Sequence, residues 1–148
     1  MASNPMQQFT VHKIGPEIKI AGVDLKEMEF IEGCFFLNKS IEEIKQNDFD
    51  EIKEFLPFDL VLSDMAPNIS GIRERDNALM IGLVDHVLSV VDIFLKDRGT
   101  VLIKVFQGES LDYTRTALNE RFRQVKISKP KASRSNSNEI YIVGKELK

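Results

Sequence analysis

A chain of 148 residues with a 43% apolar share is long enough for one ordinary domain and apolar enough to pack a core, which excludes wholesale disorder. Its formal charge of -3 argues against a dedicated nucleic-acid coat protein but leaves room for a local basic patch. One cysteine, Cys34, excludes an internal disulfide and a cysteine-rich zinc site, and no metal-ligand spacing joins His12 to His86.

Ile18–Val23, after Gly15-Pro16, reads as a short strand ending at Asp24, and Cys34–Leu37 as a second, shorter one. Ile41–Phe55 carries apolar residues at Ile41, Ile44, Phe49, Ile52 and Phe55 among charges, the pattern of one or two amphipathic helical pieces broken by Pro57. Phe58–Leu62 is a compact buried strand running into Ser63-Asp64. Asp76 can cap a long helix to Leu95 with Leu79, Leu83, Val87, Val90, Val91 and Phe94 on its apolar face, stopped by Arg98-Gly99. Thr100–Phe106 is a β-branched, apolar strand around one cation, Lys104. Leu111–Phe122 is helical. Val125–Ser128 and Ile140–Val143 form a final strand pair across the polar, basic loop Lys129–Glu139.

Strands alternating with helices predict one α/β domain, a mostly parallel sheet with helices on both faces and a C-terminal antiparallel hairpin at its edge. That outline is Rossmann-like, and many α/β proteins share it. No apolar run approaches membrane-spanning length and Met1–Thr10 lacks the regions of a signal peptide, so neither a membrane partner nor a metal is expected. A cytoplasmic compartment is the default, with a mitochondrial one as the alternative in a eukaryote. The sequence leaves the oligomeric state open.

In open α/β sheets, ligands sit beyond the carboxyl ends of the strands. Asp24 stands at one such end and can accept hydrogen bonds from a nucleoside ribose, although spacing alone favours a solvated turn aspartate. Ser63-Asp64 ends another strand and leads into the loop Met65-Ala66-Pro67-Asn68. Lys104 alternates with Ile103 and Val105 and so points to the opposite face. A lysine among apolar neighbours needs water or a partner. It either snorkels to solvent or serves as a proton acceptor partnered by Asp64 and Glu139. Lys129, Lys131 and Arg134 make the last loop basic. Such a loop suits phosphate contacts and a plain surface loop equally well.

Three strings go further. Ser63-Asp64-Met65-Ala66-Pro67-Asn68-Ile69-Ser70-Gly71 resembles the S-D-M-A-P-N-x-S-G signature of FtsJ/RrmJ-type ribose 2′-O-methyltransferases. Ile103-Lys104-Val105-Phe106-Gln107-Gly108 resembles the K-V-F-Q-G segment of that family. Lys129-Pro130 through Arg134, then Ser137-Asn138-Glu139-Ile140-Tyr141, is similar to its K-P-x-x-S-R…S-x-E-x-Y ending. The likeness runs from about Gln8 to the end. It implies a Rossmann-like methyltransferase fold, S-adenosylmethionine as cofactor, and RNA as partner, chiefly large-subunit ribosomal RNA. By the same resemblance Asp64, Lys104 and Glu139 match the last three of a Lys-Asp-Lys-Glu catalytic set. Asp24 matches the acidic residue that contacts the cofactor nucleoside, Asp64 also borders the cofactor, and Lys129, Lys131 and Arg134 meet RNA backbone.

The departures lie near the start. In the family the first catalytic lysine, the first strand and most of the glycine-rich cofactor loop precede the region matched here, and Ala2-Ser3-Asn4-Pro5-Met6-Gln7 matches the end of that loop poorly. An aspartate that contacts the adenine falls at Ser40. The resemblance thus implies an N-terminally truncated enzyme: a fragment or mis-started reading frame, which the intact downstream motifs favour, or a short form without catalysis, or one that borrows a strand from a partner or a second copy. The alternatives in function are an inactive RNA-binding remnant and, more distantly, an unrelated α/β enzyme using Lys104 as a Schiff base.

Overall fold

The computed structural model describes residues 19–129 and 138–148. Its backbone divides into two compact units, Met1–Leu56 and Pro57–Lys148. In the first, β1 (Ile20–Asp24) and β2 (Cys34–Asn38) pair in parallel, from Ile20 opposite Cys34 to Asp24 opposite Asn38. Gly22 faces Phe36 so closely that a Cβ there would stand 2.7 Å from the ring. The charged stretch that follows forms 3-10 turns, Ile41–Glu43 and Gln46–Phe55, rather than α-helix. The Asp48 carboxylate accepts the Lys45 N–H at 2.7 Å, capping the start of the second stretch, and both its oxygens lie 3.1 Å from the Lys39 ammonium, while Phe49 and Ile52 leave helical φ/ψ and interrupt the run. Phe49 is the buried anchor of this stretch, its ring 6.2 Å from that of Phe35.

The second unit runs β3 (Phe58–Ser63), α1 (Arg73–Phe94), β4 (Leu95–Phe106), α2 (Glu109–Arg121), β5 (Phe122–Ser128) and β6 (Glu139–Leu147). Its four strands stand in the order β3-β4-β6-β5. β3 and β4 are parallel, whereas β6 is antiparallel to both β4 and β5. The expected mostly parallel sheet is therefore a mixed one. The hairpin forms as read from the sequence, but its second strand turns back into the sheet and inserts between β4 and β5. β6 is suited to an interior place because Ile140 and Ile142 are buried and Gly144 admits Phe122, whose ring would stand 2.8 Å from an added Cβ.

By length and composition α1 could cross a membrane. Here its buried side chains, Met80, Val84, Val87, Leu88 and Val91, join Val101, Ile103 and Val105 of β4, Leu118 of α2 and Ile142 of β6 in one core. The buried stripe follows i, i+4, i+7, i+8 from Met80, so Leu79, expected inside, is exposed. Of the two sheet faces expected to carry helices, the one bearing Val101, Ile103 and Val105 carries both α1 and α2, tied side by side by Arg121 to Asp92 and Tyr113 to Asp85. The helix ends at Phe94, within one residue of the expected Leu95, and the chain passes from there directly into strand. Arg98 then takes a left-handed φ of 64°, and the β3–β4 register shifts between Phe58 and Leu60. Gly99 is required at this bend, since a Cβ would meet Leu95 at 2.7 Å.

Candidate active site

Sheet register assembles the site. Ser63 lies opposite Ile103, so Asp64, one residue beyond the end of β3, comes level with Lys104. Lys104 lies opposite Tyr141, and Phe106 opposite Glu139. Side chains alternate along strands, so Lys104 and Tyr141 share a face and Glu139, two residues before Tyr141, shares it too. This face is opposite to that of Ile103 and Val105, which pack into the core.

The Lys104 side chain is 5% exposed, and its Nζ stands 3.2 Å from Asp64 Oδ1 and 3.7 Å from Glu139 Oε1. The carboxylates keep more water, with side chains 23% and 45% exposed. A cation with a dry stem is thus held at the rim by two partly solvated anions. The three residues proposed from sequence as catalytic do converge.

Tyr141, not singled out from sequence, completes the group. Its hydroxyl donates to Asp64 Oδ1 at 2.9 Å. Burial first, then this bond and the charges of Asp64 and Glu139, push the phenol up to about 12, so at neutral pH it remains a donor that fixes the Asp64 carboxylate. The signal available in the sequence was its position two residues after Glu139 on one strand.

The loop beyond Asp64 is fastened from below. Asp76 does not cap α1 as expected. Ile72 occupies that place, and Asp76 lies within the first turn. Its Oδ1 accepts the Ser70 N–H at 2.8 Å and the Ser70 hydroxyl at 2.7 Å, while Oδ2 accepts the Gly71 N–H at 3.1 Å. The Ser70 amide and hydroxyl, then the Gly71 amide, hold the Asp76 carboxyl below its ordinary value. Gly71 has a φ of 86°, which supplies the turn. Beside Asp76, Asn77 joins the starts of both helices. It donates to the Arg73 carbonyl at 3.0 Å and accepts the Ser110 N–H at 2.9 Å, and the Ser110 hydroxyl donates to the Phe106 carbonyl at 2.9 Å. A cavity of about 480 Å³ opens above this joint, with Glu139 in its wall.

In the other unit, Asp24 is the last residue of β1, at the carboxyl end of a parallel pair, and its Oδ1 accepts the Lys26 N–H at 2.9 Å. Ser40 accepts the Glu42 N–H at 3.3 Å and caps the first 3-10 turn. Lys129 is exposed directly after β5, while Lys131 and Arg134 fall outside the described residues.

Comparison with known proteins gives the family. The FtsJ-like methyltransferase family matches residues 6–147. A ribosomal RNA large subunit methyltransferase E from Polaromonas is 38% identical over 139 residues, covering 88% of this chain and 55% of that protein. A protein of the same name from Syntrophobacter fumaroxidans is 37% identical over 149 residues, covering 99% of this chain and 75% of the relative. A crystal structure described as a ribosomal RNA methyltransferase from Plasmodium falciparum superposes with a TM-score of 0.74 at 28% identity, covering 87% of this chain and 72% of that one. The chain spans 55% of the Polaromonas relative and 61% of a Janthinobacterium one. With its family match running nearly from end to end, the chain belongs to the FtsJ-like methyltransferases.

Proposed function

We propose that this chain carries the catalytic edge of an S-adenosylmethionine-dependent 2′-O-ribose methyltransferase acting on large-subunit ribosomal RNA, and that both its units belong to one methyltransferase domain. The observation that carries the reading is the convergence of Lys104 with Asp64 and Glu139, at 3.2 and 3.7 Å, on a partly solvated rim. The family match across both units and the names of the relatives supply the substrate class.

Each unit carries a carboxylate of the kind this cofactor would use. Asp24 offers a carboxylate at the end of a parallel strand, the place and chemistry suited to two ribose hydroxyls. Asp64, steadied by Tyr141, offers a second anion near the reacting centre. When bound, S-adenosylmethionine supplies an electrophilic methyl group. A ribose hydroxyl is a poor nucleophile until its proton is withdrawn. Lys104 in its neutral form takes that proton at Nζ, and Asp64 and Glu139 receive the positive charge that forms there. Both carboxylates also fix the direction of the lysine, and holding a base in line with its substrate contributes much of the acceleration in a transfer of this kind. Lys129, with Lys131 and Arg134, supplies cations for RNA phosphates.

The test is methyl transfer from tritiated S-adenosylmethionine to unmethylated large-subunit RNA, followed by digestion to nucleosides. Label in a 2′-O-methyl nucleoside is the expected result. Label on a base, or RNA binding with no heat of S-adenosylmethionine binding by calorimetry, would favour a different reaction or an inactive RNA-binding remnant.

A further inference from the structure

α1 and α2 lie side by side on the sheet face bearing Val101, Ile103 and Val105, and a groove of about 720 Å³ runs between them on their exposed side. Lys104 belongs to the opposite face of the sheet, so the groove stands apart from the candidate active site. Ile81, Leu88 and Ala117 give it an aliphatic floor, and Tyr113, 40% exposed, adds an aromatic wall. Two ties fix the spacing of the helices. The Tyr113 hydroxyl donates to Asp85, and the Arg121 guanidinium donates to both Asp92 oxygens at 2.9 and 3.1 Å. The groove is thus formed before any partner arrives, which lowers the cost of filling it. Its charge is one-sided: five carboxylates and one guanidinium line it, and that guanidinium is already engaged by Asp92. Glu109, Asp112 and Glu120 stand exposed along α2. At about 1.5 Å per residue they spread over about 16 Å of helix.

That charge repels RNA phosphates, which excludes nucleic acid from the groove. The carboxylates are strung along it rather than gathered. Among the described residues no three metal-ligating side chains converge, whereas a divalent cation needs a cage of oxygens. A straight channel with an apolar floor and acidic rims complements a helix with one apolar face and cationic flanks, its apolar side chains against Leu88 and Ala117 and its cations at the rims. We propose that the groove between α1 and α2 docks a lysine- and arginine-rich amphipathic helix of a partner protein. A partner held on this side leaves the rim bearing Lys104 open to substrate, so docking is separable from the reaction proposed above.

The experiment measures fluorescence anisotropy of a labelled peptide of about twelve residues, enough to span the rims as a helix. It carries leucine at i, i+3, i+4 and i+7 and lysine elsewhere. It is titrated with the wild-type chain, with the triple variant Glu109→Gln, Asp112→Asn, Glu120→Gln, and with a control of equal charge change in the other unit, Glu43→Gln, Glu51→Gln, Glu54→Gln. All six positions are exposed, so thermal melting should change little. The wild type should bind the peptide, less tightly as salt rises. The groove variant should raise Kd about tenfold, the joint share of three exposed ion pairs, and the control less than twofold. Methyl transfer should be the same in all three proteins. Replacing leucine by serine in the peptide should weaken binding at least about tenfold, and replacing lysine by glutamate should abolish it, two readouts that leave the protein untouched. Peptide left tumbling freely at about 100 μM wild-type chain overturns the proposal. Equal weakening by both triple variants overturns it in favour of diffuse charge. Equal binding of the leucine and serine peptides, or displacement by spermidine as readily as by unlabelled peptide, overturns it in favour of a site for any small polycation.

Discussion

Replacing Lys104 by Met separates catalysis from stability at the one position where they are most easily confused. At 3.2 and 3.7 Å the two ion pairs would each contribute about 4–5 kcal/mol at an effective dielectric constant of 20. Against that stands the cost of drying the ammonium, several kcal/mol for a buried ion. The attraction is further weakened because the Asp64 and Glu139 side chains remain 23% and 45% exposed, which moves the pairs toward the roughly 0–1 kcal/mol of solvated ones. Met keeps most of the buried apolar stem and leaves two carboxylates that water can reach. The expected loss in urea unfolding is therefore at most about 2 kcal/mol. Methyl transfer, by contrast, should fall about 10²- to 10⁴-fold, the usual worth of a positioned proton acceptor. Turnover within tenfold of wild type would remove Lys104 from the chemistry. A stability loss beyond about 4 kcal/mol would show the cation to be a structural keystone instead.

Tyr141→Phe should change the alkaline limb of stability. The native phenol is pushed up to about 12 while an unfolded tyrosine titrates near 10, so its contribution is complete below pH 10 and disappears between about pH 10 and 12. Urea midpoints of the two proteins should differ below that window and converge across it, and a constant offset to the top of the window would refute the assignment. Asn77→Ala removes a buried acceptor from the Ser110 N–H and a donor to the Arg73 carbonyl, and should cost about 2 kcal/mol in urea unfolding. A loss below about 0.5 kcal/mol would mean the helix starts are not joined there. Gly144→Ala drives a Cβ to 2.8 Å from the Phe122 ring and 3.1 Å from Val101, for an expected loss of about 1–3 kcal/mol. An unchanged midpoint would contradict the tight passage of β6.

Local chemistry was legible in the sequence, while relations across strands were not. Lys104 could be recognised as costly because alternation sets it against Ile103 and Val105, and Asp64 and Glu139 because they flank strand ends. Tyr141 was marked only by its place two residues after Glu139, because its value depends on standing opposite Lys104, a register fixed by how β6 enters the sheet. That same entry turned the expected parallel sheet into a mixed one. Asp76 read as a helix cap because aspartate before an apolar stripe usually is one, but Ser70 and Gly71 offered three donors from the preceding loop and won the carboxylate. The Ile41–Phe55 pattern was correctly apolar at Phe49 but could not show that the backbone leaves helical φ/ψ at Phe49 and Ile52.

The place of β6 also bears on how the molecule comes into being. It follows both β4 and β5 in the chain yet fills the slot between them, so until it enters the sheet each of the two presents a bare flank of unpaired amides and carbonyls. Glu139 and Tyr141 travel with it. A folding chain of this protein accordingly holds Lys104 without two of its companions until β6 enters, so the cluster around Lys104 and the sheet are completed in the same step.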